Sequence, residues 1–220
     1  MQGDFWPPVF LSVQVAAVSA ICVFISGILL AKVMAHRRFR GMVLLETIML
    51  LPLVLPPSVV GFLLIIAFGR NSPAGRAIEW IFSQPVIFTW WAAVIASTVV
   101  AFPLMYQSCK TGFESISRDI ENAARVDGAN EWMVFFLITF PMAAKSIISG
   151  GILAFARALG EFGATLMFAG NIPGKTQTIP TAIYVAIDSG NMQNAWLWVG
   201  TMVLISFIML FFVQFITRKS

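Results

Sequence analysis

Charge is scarce in this 220-residue sequence. Lysine, arginine, aspartate and glutamate together make up 11% of it, well below the roughly 25% of a soluble domain, whereas 59% is hydrophobic. Water is therefore not its main solvent. Cysteine is nearly missing: Cys22 and Cys109 are the only two, both in or at the edge of apolar segments, so neither a disulfide framework nor a zinc site has anything to build on. His36 is the single histidine, and no Gly-x-Ser-x-Gly elbow accompanies it, which argues against an intramembrane serine protease. No Gly-x-x-x-x-Gly-Lys-(Ser/Thr) loop is present to cradle the phosphates of a nucleotide. The 14 basic residues give a net charge of +4, but they form no long run and no patch interleaved with aromatics, so nucleic acid is not the expected partner.

What the sequence has instead is long apolar runs. Val9 to Leu30, Val43 to Phe68, Phe88 to Met105 and Trp196 to Ile216 each reach or approach the ~20 residues that cross a ~30 Å hydrocarbon layer. A fifth run, Ala143 to Phe168, carries Lys145, Arg157 and Glu161. A spanning segment must satisfy its own backbone hydrogen bonds, and the period-2 alternation of a barrel is absent, so these are helices. The expected fold is all-α and integral to the membrane, one domain over 1–220. Its five helices are expected at about 9–35, 43–68, 88–109, 143–168 and 196–216. The first is expected to stay in place and not to be a cleaved signal, because Asp4 precedes it and the basic stretch His36-Arg37-Arg38-Phe39-Arg40 follows it.

Lysine and arginine set the orientation. With the loop of Arg37, Arg38 and Arg40 inside, five crossings put Lys32, Lys110, Arg118, Arg125, Lys145, Arg218 and Lys219 inside or at that boundary, and only Arg70, Arg76 and Lys175 outside. The amino terminus then faces out and the carboxyl terminus faces the cytoplasm. The segment 170–194 is polar at both ends and its apolar stretch Ile179 to Ile187 is too short to span. It is expected outside, as a loop with a short helix over the pore mouth. Trp6, Trp90, Trp91, Trp196 and Trp198 then fall at outer helix ends, where indoles favour the headgroup layer.

The stretch 114–141, between the third and fourth expected helices, reads Glu121-Asn122-Ala123-Ala124-Arg125-Val126-Asp127-Gly128 and continues to Ile138-Thr139-Phe140-Pro141. An Ala-Ala pair, three residues, Gly, nine residues and Ile-x-Phe-Pro resemble the EAA loop of ABC importer permeases. The family's Glu falls at Asn122 here, with Glu121 one position earlier. That resemblance implies a short coupling helix that docks in a cleft of a cytoplasmic ATPase through Glu121, Asn122, Ala123, Ala124, Arg125, Asp127 and Gly128. The residue types suit it: two alanines permit close approach, Gly128 can take the left-handed conformation that ends a helix, and Pro141 can open the next.

Three further segments narrow the resemblance. Leu51-Pro52-Leu53-Val54-Leu55-Pro56-Pro57, Ala154 to Thr165 with its Arg157-Ala158-Leu159-Gly160-Glu161 core, and Gly170 to Pro180 are similar to the molybdate permeases (ModB) within that family. Sulfate and tungstate permeases share the Arg-Ala-Leu-Gly-Glu core and the following Gly-Asn, and the outer-loop wording from Asn171 to Tyr184 favours molybdate; tungstate, a tetrahedral dianion of nearly equal size, stays open as a second substrate. Independently of any family, Pro52, Pro56 and Pro57 remove donors from a membrane helix and should kink or unwind it. Arg157 and Glu161, four residues apart, share a helix face and can pair, which lowers the unfavourable energy of either charge in the bilayer. Gly160 and Gly163 permit close packing. Pro56, Pro57, Arg157, Gly160, Glu161, Gly163 and Thr165 form a candidate gate or pathway. A salt bridge that only holds helices together, and direct anion binding by Arg157, are the other readings of the pair.

The resemblance implies a homodimer in the inner membrane, two ATPase subunits that bind ATP and Mg, and an external substrate-binding protein. It implies no cofactor or metal in this chain, and no enzyme activity of its own. An ion-coupled secondary transporter is the alternative of another class; it predicts two related halves, which the sequence does not show.

Overall fold

The computed structural model describes residues 5–37 and 39–218, with side chains through residue 215. The expectations placed on Asp4, Arg38 and Lys219, and on the Arg218 side chain, lie outside the described residues. Every regular element among the described residues is helical. Four helical runs are each long and apolar enough to cross a membrane: Trp6–Met34 (α1), Trp90–Glu114 (α5), Glu131–Leu159, and the last helix, Met192–Arg218 (α11).

The central element is α5, the most buried of these spans. Its inner faces are built of small residues, Ala92, Ala93, Ala96, Ser97 and Ala101, all buried. Facing it, α1 offers Ser12, Ala16, Ser19, Gly27 and Ala31, also buried. Side chains this small let backbones meet closely, which is how helices associate where no hydrophobic driving force separates protein from lipid. A Cβ on Gly27 would lie 2.7 Å from Met105 Cγ. On the other side of α5 the contacts are reciprocal: a Cβ on Gly112 would meet Ser146, and one on Gly150 would meet Ser108 at 2.5 Å. Polar ties hold the register. Ser19 Oγ donates to the Val94 carbonyl at 3.0 Å, and Ser12 Oγ accepts from the Ile179 amide at 2.7 Å.

Four expected boundaries need correction. The single helix expected over 43–68 is two, Met42–Val54 (α2) and Pro57–Phe68 (α3), separated by extended backbone at Leu55 and Pro56. Pro52 sits inside α2 without ending it; the break occurs where two successive residues, Pro56 and Pro57, both lack an N–H. The loop after it contains an unforeseen helix, Pro73–Phe82 (α4), bent 66° from α3. Ser72 starts α4 by accepting the Gly75 amide at 2.8 Å. The helix expected at 143–168 is displaced at both ends. It runs from Glu131–Val134 (α7) through a π-helical segment, Phe135–Thr139, into Phe140–Leu159 (α8), and then stops. Asn130 caps it, accepting the Met133 amide at 2.9 Å. The wider π turn lets Pro141 follow without a break. After Gly160, Glu161 and Phe162 the chain resumes as Gly163–Phe168 (α9). The helices expected at 88–109 and 196–216 are also longer than foreseen.

Two short helices lie at opposite ends of the bundle. Beyond the end of α5, Ser117 opens Arg118–Val126 (α6) near the end of α1, and Ile179–Asp188 (α10), the short helix of the 170–194 loop, lies near the start of α1. Ile179, Ala182 and Ala186 of α10 are buried against Ala195 and Trp198 of α11. Trp198 Nε1 donates to the Phe5 carbonyl at 3.1 Å, closing α11 onto the start of α1.

Because the Gly150 contact is against a neighbouring side chain on a rigid helix, Gly150→Val is expected to destabilise the chain by about 1–3 kcal/mol. Gly200→Ala, with nothing within 4 Å, serves as the neutral comparison, and detergent melting curves of the two variants check the difference.

Candidate functional site

Two sites emerge, one at each broken or exposed stretch that the sequence singles out. The first is the surface helix α6. Ser117 accepts the Asp119 amide at 3.2 Å at its start, and Asp119 and Glu121 in the first turn suit the helix dipole. Gly128 ends it at φ +92°. The Gly128 amide donates to Arg125 O at 3.1 Å and the Ala129 amide to Ala124 O at 3.0 Å, the paired bonds of a Schellman cap.

The helix is two-faced. Arg118, Glu121, Asn122 and Arg125, at spacings of three and four, line a cavity of about 360 Å³ against the membrane helices. Arg125 is the hub: Nε and Nη2 donate to the two carboxylate oxygens of Glu131 at 2.7 and 3.2 Å, and Nη1 donates to Asn122 Oδ1 at 2.9 Å. The hydrogen bond that Arg125 donates to Glu131 holds the guanidinium pKa above its ordinary value. Glu121 accepts from Thr139 Oγ1 at 2.7 Å, which fastens α6 to the π segment. Arg118 donates to the His36 carbonyl, and the His36 ring meets the Phe113 carbonyl at 3.1 Å. The opposite face carries Ile120, Ala123, Val126 and Asp127, all exposed, with Val126 87% accessible.

The structure thus divides the sequence-predicted coupling residues. Ala123 and Asp127 face outward; Glu121 and Arg125 are turned to the protein's own body, and Asn122, which accepts from Arg125 at the edge of the cavity, is itself exposed. Ala124 lies between, half-buried, and Gly128 shapes the end. Ile120 and Val126 were not singled out; their place in the i, i+3, i+6 pattern opposite the charged face was the available signal.

The second site joins the two helix breaks. Gly163, at the start of α9, lies so near the start of α3 that a Cβ would be 2.9 Å from Pro57 Cβ, and a Cβ on Gly61 would be 3.0 Å from the Ala164 backbone. The Pro56–Pro57 break and the Gly160–Phe162 break therefore pack on one another. Glu161 anchors the junction: it is 2% exposed, its Oε2 accepts from Arg157 Nη1 at 2.7 Å, and its Oε1 accepts the Ala164 amide at 2.8 Å. The expected pair forms, but not on one helix: Arg157 is in the last turn of α8 and Glu161 lies beyond its end. Arg157 keeps one side open, with 31% of its side chain exposed. Gly160 is exposed at the end of α8, and Thr165 is fully buried with no partner for its hydroxyl among the described residues.

Sequence reasoning missed two polar groups on the membrane helices. Glu46 of α2 accepts from Tyr106 Oη at 2.8 Å and pairs with Lys110, both on α5. As the one charged residue between Met42 and Phe68, it was legible as a site by that fact alone. Nearby, Gln107, Ser108, Thr111, Lys145, Ser146 and Ser149 line a cavity of about 350 Å³ between α5 and α8. Lys145, expected only as a basic residue at a helix end, belongs to this polar track.

Comparison with known proteins follows the same lines. A family model described as "Binding-protein-dependent transport system inner membrane component" matches residues 24–219. The chain is 65% identical to the "Putative molybdenum transport system permease protein YvgM" of Bacillus subtilis (strain 168), over 96% of this chain and 93% of that protein. It is 44% identical to the "Molybdenum transport system permease protein ModB" of Escherichia coli (strain K12), over 84% and 80% of the two chains. Among solved structures, a chain of the MetNI methionine ABC transporter in inward-facing conformations matches with a TM-score of 0.74 at 16% identity, over 96% of this chain and 94% of that one. At that identity the likeness speaks for the fold.

Two outcomes are expected from these sites. Val126→Glu places a charge on the exposed face of α6 and should leave the melting temperature of the isolated chain within about 1 °C, since surface changes stay within about ±0.5 kcal/mol, while abolishing co-purification of an ATPase subunit. Glu161→Ala leaves Arg157 without its partner and should lower stability by about 2 kcal/mol, the partial exposure of the arginine moderating the usual loss. Exchange of Arg157 and Glu161 should not restore it, because arginine has no acceptor for the Ala164 amide; melting curves of the single and exchanged variants decide.

Proposed function

The chain belongs to the family of binding-protein-dependent transport system inner membrane components, and from that premise we propose that it is the permease of an ATP-driven importer of molybdate, with tungstate as a second substrate. The family works with an ATPase and a substrate-binding protein, and this chain is their non-catalytic, multi-pass membrane subunit. Its amino terminus faces outward, its carboxyl terminus the cytoplasm. The observation that carries the mechanism is the division of α6. A helix whose charged side is pinned to its own chain and whose small and apolar side is exposed is built to pass a partner's movement into the membrane.

One chain does not enclose a pore. α2 buries none of its residues within a single copy and α11 buries almost none of its apolar window, so two copies are expected to face each other about an axis along the membrane normal. Each docks on one ATPase subunit, where ATP and Mg are bound. ATP binding favours one arrangement of the ATPase pair, and that differential is what moves the equilibrium between outward-open and inward-open forms. The coupling helix pulls on Thr139 through Glu121 and on α7 through Arg125 and Glu131. These contacts transmit the motion to the run α7–α8, whose far end holds Arg157 and the junction with Pro57 and Gly163.

The oxyanion arrives from the binding protein and crosses between these elements. Arg157, with one side open and its charge balanced by Glu161, braces the junction and attracts the anion without trapping it. The polar track at Lys145 lies toward the cytoplasmic end, where such side chains are favourable only beside water or protein. The substrate reading rests on the relatives named above and on the outer-loop wording from Asn171 to Tyr184. The sulfate reading has no comparable support, and the family match does not favour an ion-coupled secondary transporter.

Uptake of radiolabelled molybdate into proteoliposomes holding the chain, its ATPase and its binding protein tests the proposal. Uptake is expected to require ATP, to be blocked by excess tungstate and to be spared by sulfate. Uptake that ignores ATP would overturn the mechanism, and displacement by sulfate would move the substrate.

A further inference from the structure

The cavity behind α6 is more than a gap left by a surface helix. Four cations reach it, Lys32 at the end of α1, Arg37 in the following turn, and Arg118 and Arg125 on α6, against two carboxylates, Glu121 and Glu131. Arg125 engages both of these, Glu131 at 2.7 Å and Glu121 at 3.6 Å. Lys32, Arg37 and Arg118 have no ion pair among the described residues. Nor do the carbonyls at the helix ends complete the balance: His36 O is taken by Arg118, and Phe113 O by the His36 ring. The Lys32 ammonium rests over the face of Phe135 at 3.6 Å, a favourable seat for a cation, while Glu131 and Glu121 act on its charge only at longer range, without an ion pair. Excess positive charge gathered in a partly enclosed cavity attracts a counter-anion, and more strongly than the same charges would in open water.

We propose that this chamber binds a phosphate-type tetrahedral oxyanion, held by Lys32, Arg37 and Arg118 against the inner face of α6. At about 360 Å³ it has room for such a group and several waters at ~30 Å³ each. The anion comes either as a phospholipid headgroup of the cytoplasmic leaflet or as free oxyanion in the cytoplasm. Exposed Trp132 has its ring 5.9 Å from the Lys32 ammonium and stacks on exposed Phe136; an exposed indole beside a lysine is the composition of the headgroup layer. Basic recesses between membrane helices on the cytoplasmic side suit anionic headgroups. The occupant adds contacts between α1 and α6, so it tightens the coupling helix on the membrane body and regulates the stiffness of the link to the ATPase. This rests on the reading of α6 as the coupling helix, but binding itself is independent of what is transported.

The test uses the full chain in its complex with the ATPase, in detergent, read by amide hydrogen exchange in residues 118–126 and not by uptake. The probes are inorganic phosphate, dioctanoyl phosphatidylglycerol and dioctanoyl phosphatidylcholine. Phosphatidylglycerol, phosphate or both should slow exchange saturably while phosphatidylcholine does not; phosphate acting alone identifies free anion as the source, phosphatidylglycerol acting alone the lipid. The Lys32→Gln, Arg37→Gln double variant should need about tenfold or more probe for the same effect, in line with the loss of charge-assisted hydrogen bonds. Should that variant fail to fold, Arg37→Gln alone, exposed and outside any helix, should need several-fold more. Equal responses to all three probes, or responses unchanged in the folded variant, would overturn the proposal, and neither result touches the assignment of the transported substrate.

Discussion

Everything in this structure depends on how near α1 and α8 can come to α5. In a bilayer the tails are as apolar as leucine, so helices gain nothing by hiding hydrophobic surface from them, and association rests on close packing and a few polar ties. The contact surfaces of α5 are therefore lined with alanine, serine and glycine, and those of its neighbours match them at Gly27, Gly150 and Ser146. Many large apolar side chains point away from these contacts, as the phenylalanines and leucines on the exposed face of α11 do. Bulky core residues such as Tyr106, Phe113 and Phe168 are buried between these close contacts.

A tightly packed bundle cannot by itself open and close, and the two helix breaks answer that constraint. Each leaves backbone groups without helical partners, which a membrane tolerates only where protein or water satisfies them. Here Glu161 receives the Ala164 amide in the first turn of α9 and the charge of Arg157 together, and Gly163 lets Pro57 of the other break rest against it. The arrangement places the junction of the two breaks at the far end of a helical run that begins beside α6. The contacts from α6 to that junction run through Thr139, Glu131 and the length of α8 to Arg157.

The sequence made the apolar spans and the surface helix α6 legible because each leaves a local mark: twenty apolar residues, or an Ala-Ala pair followed at fixed distance by a glycine whose φ the structure places at +92°. It was silent where distant residues decide. Glu121 reads as part of a docking motif until Thr139 is seen to hold it inward. Glu46 reads as an isolated acid until Tyr106 and Lys110, some sixty positions later, are placed beside it. The start of the run at Glu131 was hidden because a π turn absorbs Pro141, and the break at Gly160 was hidden because Arg157 and Glu161 have the spacing of a helical pair. Amphipathic α4 was missed since its polar residues, Arg76 and Glu79, resemble those of an ordinary loop.

The two faces of α6 also separate two kinds of inheritance. The inward residues are tied to positions in this same chain, so a change at Arg125 must be answered among Glu131, Asn122 and Glu121. The outward residues, Ile120, Ala123, Val126 and Asp127, are exposed and carry no such tie through their side chains among the described residues. Lineages can therefore exchange one motor for another by rewriting a handful of surface positions while the membrane machinery stays as it was, and the same few positions are where an engineer would graft this permease onto a foreign ATPase.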